Sequence, residues 1–274
     1  MRAFSLINAK GRIWSLNETN AFLHDIKGLG QEHKATYVQV GTDFVKEKDY
    51  LAQKNITGKI KFTGYEEYQA FSEFIQHKPL TLTYESNGKY SLKISIDKLG
   101  KSELTTLGLV SDISIKGLGT YYKTVVKENL REDNSKDGKI YPSSYPYQYF
   151  DVAKGVVIVD SDSVLESPVK INIFGPTKNP SYTHYVNGKV EMTGKVNASI
   201  GEGNKIVIDT TTIPYTIAEY TIDNEYVQDL YGKSDFSTER FVLLKNGENK
   251  ISFVHEISEP ITMSVEAFLK YESV

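Results

Sequence analysis

Catalysis needs groups that converge, so the five histidines are weighed first: His24, His33, His77, His184 and His255. No two stand at i, i+4 spacing and no HExxH occurs, so no helix face offers a metal-binding pair. A GxSxG elbow, which would lift a serine nucleophile off a strand-to-helix turn, is absent. The chain has no cysteine, which excludes thiol nucleophiles, thiolate zinc sites, iron–sulfur clusters and disulfides. Gly28-Leu29-Gly30 and Gly117-Leu118-Gly119 lack the third glycine and the strand-to-helix setting of a dinucleotide fold, and read as turns.

Two acidic clusters resemble sites without completing them. Asp133-Asn134-Ser135-Lys136-Asp137-Gly138 has the alternating oxygens and sixth-position glycine of a calcium loop. Its twelfth position is Ser144, where a bidentate glutamate is required, so a solvated turn is expected. Asp160-Ser161-Asp162-Ser163 reads as a polar turn after a strand. A glycosidase pair among the 35 acids would be a matter of three-dimensional separation, which spacing does not reveal. The expectation is a non-enzyme with no catalytic, cofactor-binding or metal site.

The elements that position these residues are mostly strands. Of 274 residues, 39% are hydrophobic and 24% charged, enough for a packed core. Nineteen tyrosines against one tryptophan favour pleated, half-buried surfaces. A net charge of −3 argues against nucleic-acid binding by bulk charge. No run has the length of a membrane span, and Met1–Arg12 lacks the apolar stretch of a signal peptide, so cytoplasmic assembly is expected.

Charge divides the chain. Residues 1–122 carry 16 bases and 13 acids, whereas residues 151–274 carry 11 and 18. Between them lies a polar stretch, Lys123–Gly138, and then a Pro- and Tyr-rich segment, Tyr141–Phe150. The expected organisation is a domain at 1–122, a linker at 123–150 and a domain at 151–274.

In the first domain Ile56, Gly58, Ile60 and Phe62 share one strand face. Leu80, Leu82 and Tyr84 lead through Asn87-Gly88 to Tyr90, Leu92, Ile94 and Ile96, a hairpin pattern. Thr63–Glu66 fits a capping box, and Tyr65, Tyr68, Phe71, Phe74 and Ile75 follow at helical spacing before Pro79. Tyr65, Tyr68, Phe71 and Ile75 are expected to face the sheet. The second domain reads as strands throughout, with Val156–Val159 and the alternations Val169/Ile171/Ile173, Val196/Ala198/Ile200 and Met263 to Tyr271. Its turns are placed at Gly175-Pro176, Asn179-Pro180, Asn187-Gly188 and Asn246-Gly247. The pattern is that of a β-sandwich or jelly roll.

The order of several weak motifs resembles the distal tail proteins of long-tailed, siphovirus-type bacteriophages of Gram-positive hosts. These motifs are Leu6–Gly11 with Trp14-Ser15-Leu16, Tyr65–Ile75 followed by Pro79–Tyr84, and Tyr90–Ile96 followed by Leu99–Glu103. Ser167–Gly175 with Asn179-Pro180, and Phe241–Ile251, are similar to that family's second domain. The resemblance implies a mostly β, two-domain fold. Its N-terminal part would be a β-sandwich or split-barrel-like ring domain with one amphipathic helix, and its C-terminal part a galectin-like β-sandwich. It implies a hexameric ring at the distal end of the tail tube of a phage or prophage. That ring joins the tube to the tail-associated lysin or spike and to baseplate or receptor-binding proteins. The partners implied are other copies of the chain and these tail proteins, with no membrane and no sequence-specific nucleic acid. The location implied is the virion tail tip, after assembly in the host cytoplasm. The competing reading is a lectin-like, carbohydrate-binding module for host cell-wall glycans. Trp14, the sole tryptophan, lies in the first half, away from the sandwich, which weakens that reading.

Overall fold

A computed structural model of the chain describes residues 2–18, 20–106, 108–129, 154–257 and 261–274, and in it the alternating apolar patterns become antiparallel strands. The chain divides into two compact units, Met1–Lys123 with Lys270–Val274, and Thr124–Leu269. The sequence reading ran the second domain to residue 274, but the last five residues belong to the first unit.

The first unit contains β1 (Ala3–Ile7), β2 (Ile13–Ser15), β3 (Asn17–Glu18), β4 (Ala21–Lys27), β5 (His33–Val40), β6 (Asp43–Leu51) and β7 (Asn55–Phe62). The helix α1 (Tyr65–Gln76) follows, then β8 (Leu80–Glu85), β9 (Lys89–Leu99) and β10 (Leu109–Gly117). Strands β8, β9, β10, β7, β4 and β3 are neighbours in that order, with β1 joined to β8 and β2 to β1. Among the described residues, strands β5 and β6 pair only with each other. Ile56, Ile60 and Phe62 are buried on one face of β7, as alternation requires.

The helix buries Phe71 and Phe74 beneath Trp14, whose ring centroid is 5.4 Å from each. Two details differ from expectation. The N-cap is Gly64, not Thr63, and Glu67 at the third helical position hydrogen-bonds back to the Thr63 side chain and the Gly64 backbone. These bonds, the Thr63 one first, hold the Glu67 carboxyl below the ordinary glutamate range. Tyr65 is 45% exposed instead of facing the sheet, because 3.6 residues per turn put it about 120° around the helix from Phe71 and opposite Phe74. Its hydroxyl accepts the Leu104 N–H at 3.2 Å.

Strand β11 (Tyr121–Glu128) shows that the segment expected as a linker opens with strand. Its residues after Tyr122 are mostly polar and exposed, which is why it reads as a loop in sequence. Residues 130–153, holding the calcium-like cluster and Tyr141–Phe150, lie outside the described residues.

The second unit begins with β12 (Lys154–Ser161), β13 (Ser167–Phe174), β14 (Thr177–Lys178), β15 (Ser181–Val186), β16 (Lys189–Lys195) and β17 (Ser199–Ile200). It continues with β18 (Asn204–Asp209), β19 (Thr216–Thr221), β20 (Tyr226–Asp229), β21 (Leu243–Leu244), β22 (Gly247–Val254) and β23 (Thr262–Tyr271). One sheet runs β20-β19-β18-β13-β23 and another β12-β22-β15-β16. Both contribute to the core: Ile171, Ile173, Ile208 and Val265 from the first, and Val157, Val159, Ile251 and Phe253 from the second, are fully buried. The sheets approach so closely at Gly155 that a Cβ there would stand 2.3 Å from the Met263 methyl.

The three Asn-Gly pairs behave differently. Asn187-Gly188 forms the expected two-residue turn, with φ of 50° and 78° and flanking pair Val186↔Lys189. The β8–β9 loop has three residues, since Glu85 pairs with Lys89. Asn246-Gly247 joins no hairpin: Leu243–Leu244 pairs with β13, and the chain then crosses to the other sheet. Asn249 holds that crossing, accepting Lys245 N–H at 3.0 Å and donating to the Lys245 and Gly247 carbonyls at 2.8 and 2.9 Å.

Candidate assembly surface

The sequence expectation names no catalytic site, and the histidines are dispersed in the structure. His24 lies 3.2 Å from Asp25, His77 meets Lys10 Nζ at 3.2 Å, and His184 meets Asn249. His255 Nδ1 meets the Thr177 hydroxyl at 3.1 Å. Among the described residues no group of three histidines or carboxylates could share a metal ion. Of the segment expected as a polar turn, Asp160 and Ser161 instead end strand β12, paired with Glu248 and Gly247, and the Ser161 hydroxyl accepts the Ser163 N–H at 3.3 Å just beyond it.

The hairpin β5–β6 is the feature that sequence reading missed. Val40 pairs with Asp43 across Gly41-Thr42, and Gly41 has φ +67°, which suits the first position of a type II′ turn. Alternation puts Val38, Val40 and Val45 on one face and Tyr37 and Phe44 on the other. All five, together with Tyr50, are between 47% and 68% exposed. A two-stranded ribbon alone is marginal in water, so apolar residues on both of its faces call for a cover that no other described residue supplies. The signal was present in the alternating Tyr37–Val40 and Phe44–Val45 flanking a glycine.

The root of this arm is tied by hydrogen bonds to the rest of the first unit. Lys54 is 8% exposed and its Nζ donates to the carbonyls of Leu29, Gly30 and Glu272 at 3.3, 2.8 and 3.0 Å. The ammonium also lies 4.9 Å from the Tyr121 ring centroid. Burial lowers the Lys54 pKa, partly opposed by the Glu272 carboxylate, and burial with the nearby Tyr84 pushes the Tyr121 phenol up to about 12. Both Gly-Leu-Gly segments serve this lysine. Gly28 has φ +84°, and a Cβ there would strike the Asn55 carbonyl at 2.0 Å. Gly117 donates its N–H to the Lys54 carbonyl at 2.8 Å. His33 at the start of β5 links the arm to the tail, with Nδ1 3.5 Å from Asp49 and Nε2 3.2 Å from Glu272. Lys46 bonds Asp49 at 2.8 Å, which raises the lysine and holds the aspartate below its ordinary range.

An exposed apolar arm on a tethered root, within a two-unit β fold, defines a protein built to assemble with others. Residues 3–127 match the family profile described as the distal tail protein, N-terminal domain. No curated protein matches the chain in sequence. A chain of the phage p2 baseplate in its activated conformation with Sr is similar over 100% of both chains, at 14% identity and a TM-score of 0.67. The same values hold for the p2 baseplate with Ca. The Dit protein of phage SPP1, described as a paradigm of the hub adsorption apparatus in phages infecting Gram-positive hosts, matches over 96% of this chain and 98% of its own. That match has 8% identity and a TM-score of 0.62. At these identities the likeness is one of fold, a mostly β architecture.

Proposed function

We propose that copies of this chain close head to tail into a hexameric ring at the distal end of a phage tail tube. The ring joins the tube to the tail-associated lysin or spike, and carries baseplate or receptor-binding proteins. Its role is structural, without catalysis, and its place is the virion tail tip after assembly in the host cytoplasm. The first domain builds the ring, and the acidic second domain is a galectin-like sandwich. The observation that carries this reading is the β5–β6 arm, whose apolar faces have no cover among the described residues. A head-to-tail contact is heterologous and closes into a ring when its rotation divides a full turn. The profile match over residues 3–127 and the fold shared with phage baseplate and hub proteins support the tail setting. The sixfold number rests on the family resemblance.

The test is light scattering on concentrated protein, followed by electron microscopy with tube protein added. The parent is expected to approach six times its 30.9 kDa mass and to cap tube ends. Val38 and Val45 pair across one face of the arm, so Val38→Asp with Val45→Asp is expected to yield a folded monomer. Both residues are already exposed, so the melting temperature stays near that of the parent. Rings formed equally well by the double variant, or a stable dimer that never caps tubes, would sink the proposal.

A further inference from the structure

The second unit holds an arginine that has not found its anion. Arg240 is the sole arginine in residues 151–274, a stretch with 18 acids. Lys195 and Lys245 pair with Glu256 and Glu191, yet no carboxylate among the described residues lies within ion-pair distance of Arg240. Its guanidinium rests instead on rings, 4.5 Å from the Phe236 centroid and 5.6 Å from that of Tyr231. Its Nε is buried without an acceptor. An orphaned buried donor is rare in a folded protein and calls for a partner. The rings stand edge to face at 85°, forming a corner, and Tyr231 in turn packs on Phe241 at 6.3 Å. Phe236 keeps 58% and Tyr231 38% of its surface exposed, so the corner is open to solvent.

We propose that Arg240, Tyr231 and Phe236 form a binding site for an anionic sugar, one bearing a carboxylate or a phosphate. The guanidinium is held flat by the rings and presents its fork of donors to the anionic group. The sugar ring then lies against the exposed aromatic rim, where its C–H face replaces water. The flanking groups favour a sugar over an acidic peptide. Asp235 and Glu239 border Phe236 and Arg240 in sequence, and their negative charge works against a run of carboxylates more than against the single anionic group of a sugar. Asp235 already accepts the Ser237 N–H and hydroxyl, at 2.9 and 2.7 Å, which fixes its orientation. This site is independent of the arm in the first unit.

Calorimetric titration of the full chain tests the site with three probes: a glucuronate-containing tetrasaccharide, glucose 1-phosphate and neutral maltotetraose. At least one charged probe is expected to bind, and which one it is distinguishes carboxylate from phosphate; maltotetraose binds at least about tenfold more weakly. Arg240→Ala is expected to weaken the charged probe about tenfold or more, and Phe236→Ala to do the same. Arg240→Lys keeps the charge and stem but loses the fork, so it serves if the alanine variant does not fold, and it too binds more weakly. The proposal fails if no probe binds, if maltotetraose binds as tightly, or if Arg240→Lys binds like the parent. It fails equally if a glutamate-rich peptide binds at this residue and the sugars do not.

Discussion

His184 shows how one buried group sets a pH limit. It is fully buried, its Nε2 donates to Asn249 Oδ1 at 3.0 Å, and its Nδ1 has no partner. Burial, only partly offset by the Asn249 bond, lowers its pKa. The unfolded chain therefore takes up a proton near the ordinary histidine value of about 6.5, where the folded chain does not. Stability is complete above that pH and is lost as the pH falls below it. Melting of the second unit is expected to weaken between pH 7.5 and 5 on the basis of that value of about 6.5. His184→Gln, which keeps a donor for Asn249, should flatten the slope; an unchanged slope would refute the assignment. Lys54 makes a second prediction at this scale. Lys54→Met keeps the stem but leaves three carbonyls without their donor, so a loss of about 1.5–3 kcal/mol is expected in urea unfolding.

At the scale of elements, the helix depends on one face. Phe71 is fully buried and packs on Phe62 at 5.5 Å and Trp14 at 5.4 Å. Phe71→Ala is expected to destabilise the first unit by about 3–5 kcal/mol, read from a denaturant midpoint. Glu67→Ala removes the bonds to Thr63 and Gly64 and is expected to cost less than Phe71→Ala, though more than Glu66→Ala, which has an exposed side chain at the helix start. Equal melting of the Phe71 variant and the parent would overturn the packing described. Much of this helix was legible, because its 3.6-residue period and its acidic first turn are local signals. The cap was misplaced by one residue because glycine, without a side chain, leaves no capping signature. The β5–β6 arm was missed although its alternation is local, because apolar residues on both faces of a ribbon fit no single-core pattern.

For the molecule as a whole, the return of the C-terminal tail to the first unit is the decisive feature. Tyr271 stands edge to face with Tyr90 at 5.2 Å, Glu272 supplies its carbonyl to Lys54, and Val274 packs on the first unit's core. Removing Lys270–Val274 is expected to lower the unfolding temperature of the first unit, tracked by Trp14 fluorescence. The truncation takes only the last two residues of β23, Lys270 and Tyr271, and leaves its buried positions Met263, Val265, Ala267 and Leu269, so the second unit should hold its secondary structure. A truncated chain whose Trp14 transition matches the parent's would show that the tail is dispensable.

Sequence by itself determined the β-rich class, the division of charge, the helix and its buried phenylalanines, and the Asn187-Gly188 turn. Each is set by periodicity or by backbone freedom over a few residues, and such preferences act before any distant contact forms. Tertiary structure alone decided which lysine is buried at the arm's root, why two Gly-Leu-Gly segments lie beside it, and why Asn246-Gly247 crosses between sheets. It also decided that Arg240 pairs with no carboxylate among the described residues. These outcomes join residues 24 to 218 positions apart, as Lys54 does with Gly30 and Glu272. At such separations the partner is chosen by the packing of whole strands, not by the residue's own type.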